Sequence, residues 1–185
     1  MKKAKFMAIA AVAVLGLGQM GCTVAQCLAR SGYTVQGWSA APKVVDLVAT
    51  SVGEAALSQV LASAEIVINL LPLTPATHGL FNARRLARMR PGASLVNLAR
   101  GAHVVEADLL AALDGGHLRH AVLDVFASEP LPTEHPFWSH PRITVLPHVA
   151  ALTDARSASV VVARNVQALR AGRAPQHLVD RTKGY

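Results

Sequence analysis

Apolar positions along this chain switch repeatedly between unbroken runs and helical spacing. From Met7 to Leu15 the run is continuous and stops at Gly16, and from Gln19 to Arg30 apolar residues recur every third or fourth position until Ser31-Gly32. That is the pattern of a strand, a glycine turn and a helix. Tyr33 to Trp38 reads as a second strand, Gly53 to Ala62 as a helix, and Glu65 to Leu71 (EIVINLL) as a strand closed by Pro72 and Pro75. Asn82 is placed to cap a short helix through Met89, after which Pro91-Gly92 turns the chain into a strand from Ala93 to Leu98. A helix from Glu106 to Leu113 ends at Gly115-Gly116, and a strand follows from His120 to Val125. Beyond the Pro-rich stretch from Ser128 to Pro141, Ile143 to Leu146 forms the last short strand. Thr153 is then expected to cap a helix with Ala155, Ala158, Val162, Val166 and Leu169 on one face and Gly172 as its stop. Strands that alternate with helices predict βαβ units and an α/β fold with a doubly wound parallel sheet. The division expected is a first domain over residues 1–150, then a C-terminal helix and tail over 151–185.

Composition supports this picture and removes some functions. With 52% apolar residues the chain can build a core, and with only 4% aromatic residues it suits close packing of Ala, Val and Leu rather than base stacking. The net charge of +7 comes from Lys and Arg scattered as singles and pairs, so nucleic acid is not the expected partner and a small anion is. Cys22 and Cys27 diverge within one helix, which argues against a bridge, and no histidine joins them at metal-ligand spacing, so no metal is expected. The opening "KFMAIAAVAVLGLGQMG" admits a second reading, since two lysines ahead of an apolar run resemble an export signal. A glycine-punctuated strand uses the same residues better. No run is long enough for a membrane span, and a cytoplasmic protein with no membrane partner is expected.

Gly16, Gly18 and Gly21 form G-x-G-x-x-G where strand meets helix. The first glycine allows the tight turn, the second lets backbone approach a pyrophosphate and the third lets the helix pack near the strand. Gln19 and Met20 open the helix whose free N–H groups would face the phosphates. At the end of the second strand, where an acidic residue would grip the adenosine ribose of NAD, stand Ser39 and, beyond it, Lys43. A hydroxyl and a cation there favour NADP, with NAD as the alternative.

Three later stretches, "NLARGAHVVEADLLAALDGG", "AVLDVFASEPLP" and "ITVLPHVAALT", follow one another behind that loop. Together they closely resemble the D-isomer-specific 2-hydroxyacid dehydrogenases, and the chain from Val12 to Tyr185 resembles their glyoxylate/hydroxypyruvate reductase branch, including Asp180-Arg181 and Gly184-Tyr185. The resemblance implies a Rossmann sheet and a catalytic set of Arg100, Glu129 and His148. Reduction of a 2-oxo acid needs a hydride, a proton for the carbonyl oxygen and a cation for the carboxylate. His148 would give the proton, Glu129 would hold its ring, and Arg100 would bind the carboxylate through its fork of donors. The resemblance also places Leu71, Pro72, Thr77, Leu98, Ala99, Asp124 and Ala150 beside the cofactor, together with Arg100 and His148. His78, His103 and His140 are expected at the surface or in loops, and Trp138 either in a substrate pocket or packed at a rim.

Two departures from the family bear on function. Family members carry a substrate domain ahead of the dinucleotide fold, and here only Met1 to Phe6 precede the first strand, so little or no turnover by this chain alone is expected. The C-terminal helix, lacking that domain, is expected to cover its apolar face in a homodimer. The segment Val44 to Val52 (VVDLVATSV) is apolar where the reductases have a polar loop, and its role is left open. Two function classes remain: an NADP-linked reductase of a small 2-oxo acid such as glyoxylate or hydroxypyruvate, and an isolated dinucleotide-binding module without catalysis.

Overall fold

The computed structural model describes residues 10–180. The expected strand residues Met7 to Ile9 and the terminal Arg181, Gly184 and Tyr185 lie outside them. The elements in chain order are β1 Ala11–Leu15, α1 Gln19–Arg30, β2 Thr34–Ser39, β3 Ala49–Val52, α2 Glu54–Ser63 and β4 Ile66–Asn69. They continue with α3 Ala83–Leu86, β5 Ser94–Asn97, α4 Glu106–Asp114, β6 His120–Leu123, β7 Ile143–Val145 and α5 Ala155–Arg170. The seven strands form one sheet in the order β3-β2-β1-β4-β5-β6-β7, parallel at every pairing. Order reverses between β1 and β4, and it is beside this switch point that open parallel sheets leave a crevice at their carboxyl ends.

β1 shows why the pattern is an unbroken apolar run rather than an alternation. Ala13 and Leu15 point into a cluster with Leu57, Leu61, Val67, Leu95 and Leu123, while Val14 points the opposite way into a second cluster with Leu17, Ala25 and Val35. Both faces of the central strand are covered, so every position is apolar. On α1, Gly21 and Ala25 are buried with Cys22, Val24 and Leu28 packed beside them, and a Cβ on Gly21 would collide with the Gly16 carbonyl oxygen.

Several expectations change. Val44 to Val52, whose role was left open, divides: residues 45–48 form a turn bridged between Val45 and Val48, and Ala49–Val52 pairs with β2 as the edge strand β3, with Val45 buried in the second cluster and Val44 fully exposed. An edge strand with only Ser51 half-buried carries too little periodicity to be read from sequence. Asp154, not Thr153, caps α5, its carboxylate accepting the Ser157 N–H at 2.8 Å. Asn82 caps α3 as expected, accepting from the Arg85 N–H at 3.2 Å. Both cysteines are free, with the Cys22 thiol donating to the Leu17 carbonyl at 3.3 Å. The chain forms two compact units, one through His148 and a second from Val149 onward. In the second, α5 buries no residue, and Val162 and Leu169 are 61% and 62% exposed. Among the described residues no helix is long and apolar enough to cross a membrane.

Candidate active site

The glycine turn after β1 has the shape of a phosphate cradle. Gly16 has φ +95°, and a Cβ on it would stand 2.6 Å from the Leu70 carbonyl oxygen, so only glycine fits between the two central strands. Gly18 is the N-cap of α1 without a side-chain cap, and a Cβ there would meet nothing within 4 Å. The first-turn N–H groups of α1, which have no partner within the helix, thus adjoin a residue with no side chain, the arrangement a pyrophosphate needs. Gln19 and Met20 are exposed at this helix start.

At the end of β2, Ser39 is buried and its hydroxyl donates to the Ala41 carbonyl at 2.7 Å. Its proton is used within its own turn rather than offered outward, which leaves the exposed Lys43, whose carbonyl accepts from Thr50 Oγ1, to supply the cation at that end. No carboxylate takes the position after the strand.

Beyond β4, Leu71 is buried and the half-buried Pro72 opens a turn closed by Thr77. The Thr77 hydroxyl donates to the Pro72 carbonyl at 2.7 Å and accepts the Thr74 N–H at 2.8 Å. After β5 come half-buried Leu98, buried Ala99 and exposed Arg100, whose guanidinium donates to the Ala99 carbonyl at 2.6 Å. Asp124, buried at the end of β6, is followed by the turn that carries Glu129.

One Glu129 oxygen accepts the Phe126 N–H at 2.9 Å, and the other stands 2.8 Å from His148 Nδ1. His148 holds φ +56°, a left-handed conformation that costs a non-glycine residue on the order of 1 kcal/mol or more. The bond to His148, then that to Phe126, holds the Glu129 carboxyl below its ordinary pKa, with the Arg100 charge acting in the same sense. Arg100, Glu129 and His148 therefore share one electrostatic neighbourhood at the carboxyl end of the sheet. Nδ1 is the ring nitrogen that meets the carboxylate, and the His148 side chain is 54% exposed. Ala150 belongs to the second unit.

The remaining histidines divide. His78 is exposed as expected. His140 stands 3.2 Å from Asp114 with its side chain only 10% exposed. His103 is not a surface residue: it is completely buried, with Nδ1 2.8 Å from Asn69 Nδ2 and Nε2 3.3 Å from the Pro72 carbonyl. Burial, above all, lowers its pKa, with the charges of Arg100 and His78 adding to the effect. Asn69 and Asn97 were also missed. The visible signal was a polar residue closing each of two buried strands before leucine, in "IVINL" and "SLVNL". Trp138 is exposed and donates from its indole N–H to the Pro132 carbonyl at 2.8 Å. The described residues hold no group of three or more His, Cys, Asp or Glu placed to bind a metal.

A parallel sheet with a glycine cradle at its switch point and a histidine–carboxylate pair at the same end defines a dinucleotide-binding domain of the oxidoreductase type. The family model described as "D-isomer specific 2-hydroxyacid dehydrogenase, NAD binding domain" matches residues 3–150, and the chain belongs to that family. It is 47% identical over 174 residues to the glyoxylate/hydroxypyruvate reductase A of Yersinia enterocolitica, covering 94% of this chain and 56% of the relative. The chain thus spans about half the length of the curated relatives it matches. Among solved structures it resembles a D-isomer specific 2-hydroxyacid dehydrogenase from Xanthobacter autotrophicus Py2 in complex with NADPH and MES. There the TM-score is 0.91 and identity 45%, with 95% of this chain and 73% of that chain covered. An NADPH-dependent glyoxylate/hydroxypyruvate reductase from Sinorhizobium meliloti, in complex with NADP and sulfate, gives a TM-score of 0.90 at 39% identity, over 95% of this chain and 57% of that one.

Proposed function

We propose that this chain is the cofactor-binding part of an NADP-linked reductase of small 2-oxo acids, glyoxylate or hydroxypyruvate. The observation that carries the reading is the His148–Glu129 pair standing with Arg100 at the end of the sheet that also holds the glycine cradle. The names of its relatives agree with it.

The residues fit the cofactor. Gly16, Gly18 and Gly21 shape a loop open at Gly18, the first-turn N–H groups of α1 have no partner within the helix and no side-chain cap, and no acid directly after β2 repels a 2′-phosphate. Lys43 offers charge for that phosphate, while Ser39 shapes the turn. Residues 71–77, Leu98, Ala99 and Asp124 would flank the nicotinamide, and Ala150 is assigned there from the family pattern. When bound, the reduced nicotinamide supplies the hydride. Arg100 binds the carboxylate of the 2-oxo acid, and two donors in its fork fix the carbonyl's direction. His148 donates a proton from Nε2 to the carbonyl oxygen as charge develops there. Glu129 fixes the ring through Nδ1 and stabilises its charged form, which a carboxylate held in its ionised state does best.

We further propose that these 185 residues by themselves turn over little, because His148 stands open to water and reduction needs a positioned, shielded acceptor. Their apolar α5 face would be covered in a homodimer, which sedimentation would detect, and dependence on NADPH fits a cytoplasmic protein. Calorimetry tests the core of the reading: NADPH binds more tightly than NADH, and a clear preference for NADH overturns the cofactor assignment. Absorbance at the nicotinamide band with glyoxylate or hydroxypyruvate stays near background. Robust turnover would show that the site closes without further residues.

A further inference from the structure

Between the cofactor side and the substrate side of the crevice lies a buried polar group that the proposed reaction does not use. Asn69 and Asn97 end the neighbouring strands β4 and β5 and are register partners, so their side chains rise on the same face of the sheet. Asn69 Oδ1 accepts the Leu71 N–H at 3.3 Å, which turns its amide nitrogen the other way. That nitrogen has two hydrogens and two partners, Asn97 Oδ1 at 2.9 Å and His103 Nδ1 at 2.8 Å. His103 Nδ1 is therefore the acceptor, and its proton sits on Nε2, pointed at the Pro72 carbonyl. The opposite tautomer would set two donors face to face. Asn97 in turn accepts the Ala99 N–H at 3.3 Å and donates from Nδ2 to the Arg100 carbonyl at 3.0 Å.

One end of this chain of bonds is the carbonyl of Pro72, the same oxygen that receives the Thr77 hydroxyl and closes the turn beside the cofactor. The other end is the backbone of Arg100. The next residue, Gly101, lies so close to Phe126 that an added Cβ would collide with its carbonyl carbon, and the Phe126 N–H holds Glu129. The chain of bonds thus runs from the Pro72 carbonyl through the side chains of His103, Asn69 and Asn97 to the Arg100 carbonyl, and by contact of Gly101 to the turn that carries Glu129. An apolar residue at 103 would fill space equally well, so packing alone does not account for the histidine.

We infer that His103, with Asn69 and Asn97, is a positioning residue that sets the cofactor-side turn at Pro72 and the anion-binding Arg100 at a fixed separation. What the turn and Arg100 hold follows from the reductase reading, and the geometry of the network does not. Neutral and fully buried, His103 is a two-ended connector, with one acceptor end and one donor end.

The two ends can be cut separately in the 185-residue chain. His103→Gln reaches the Pro72 carbonyl with an amide N–H and loses Asn69, while His103→Asn places an oxygen near Nδ1 and loses Pro72. NADPH affinity is read by calorimetry, and oxalate, a probe for the anion site, by shifts of the Arg100 and Gly101 NMR signals. The expected result is a split. His103→Asn weakens NADPH about ten-fold and leaves oxalate nearly unchanged, whereas His103→Gln does the reverse, as loss of one buried hydrogen bond implies. His103→Leu weakens both. Ring 15N spectra of the unaltered chain should show the neutral, Nε2-protonated tautomer. Equal effects of Gln and Asn on both ligands, or no effect of either, would reduce His103 to packing and overturn the inference. If the unaltered chain bound no NADPH, the reductase reading would fall. Hydrogen exchange at the Leu71 and Ala99 amides would then decide the network: faster exchange in His103→Gln upholds it, and unchanged exchange overturns it.

Discussion

His103 and His148 stand at the same end of one sheet, and their surroundings make them different chemical objects. His103 is wholly buried and hydrogen-bonded at both ring nitrogens to groups that cannot take up its proton. His148 is 54% exposed, with Nδ1 on a carboxylate. A proton can be handed over only where it can be replaced, so the exposed ring suits catalysis and the enclosed ring suits alignment. A perturbed pKa near an active site therefore does not by itself mark the acid: burial lowers that of His103, which has no exchangeable proton to offer a ligand.

The strongest way to break this comparison is to remove each ring. His103→Leu leaves the Asn69 amide and the Pro72 carbonyl without a partner, so urea unfolding should show a loss of about 3 kcal/mol. His148→Gly loses the part-exposed bond to Glu129 but relieves a left-handed residue, so stability should change by no more than about 1 kcal/mol. Equal losses at the two sites would contradict the division of roles.

The glycine loop offers the next test. Gly16→Ala forces a Cβ against the Leu70 backbone at positive φ and should destabilise the chain by about 2 kcal/mol or more. Gly18→Ala meets nothing, so it should leave unfolding within about 0.5 kcal/mol while weakening NADPH roughly ten-fold by crowding the bound phosphates. Unchanged NADPH affinity in Gly18→Ala would remove the phosphate from that loop.

Smaller effects appear with pH, at His103 and at Glu129. The folded pKa of His103 is lowered, so the unfolded chain takes up a proton first. Its contribution should fall as pH drops from the ordinary imidazole range to the lowered folded value, and His103→Gln should flatten that slope. The Glu129 carboxyl is also lowered, so its pairing persists above the ordinary carboxylate range and is lost only as pH falls through the depressed value. Carbon NMR of Glu129 should show the depression shrinking in His148→Ala, because that hydrogen bond is its largest cause. A Glu129 titration unchanged by that substitution would mean that the pair does not form in solution.

How much of this was legible in the chain depends on the range of the forces involved. The unbroken apolar run of β1, the helical spacing of α1 and the glycines between them are local facts, and local sterics and burial on both faces translate them directly into strand, turn and helix. Arg100, Glu129 and His148 were singled out because the three stretches that carry them resemble the dehydrogenase family, and their places at or near strand ends agreed with that. What the sequence could not show was which polar groups meet once strands from distant parts of the chain lie side by side. Asn69 and Asn97 become partners only through strand register, His103 becomes buried only when its turn folds over them, and Ser39 turns its hydroxyl inward to Ala41. The edge strand β3 exists because β2 offers it a ladder, not because its own residues demand one. Most of the secondary structure was written in local patterns and the candidate catalytic set came with a family resemblance carried by three motifs, whereas hydrogen-bond partners and burial were decided by tertiary packing, because a buried polar group must find its partner wherever the fold supplies one.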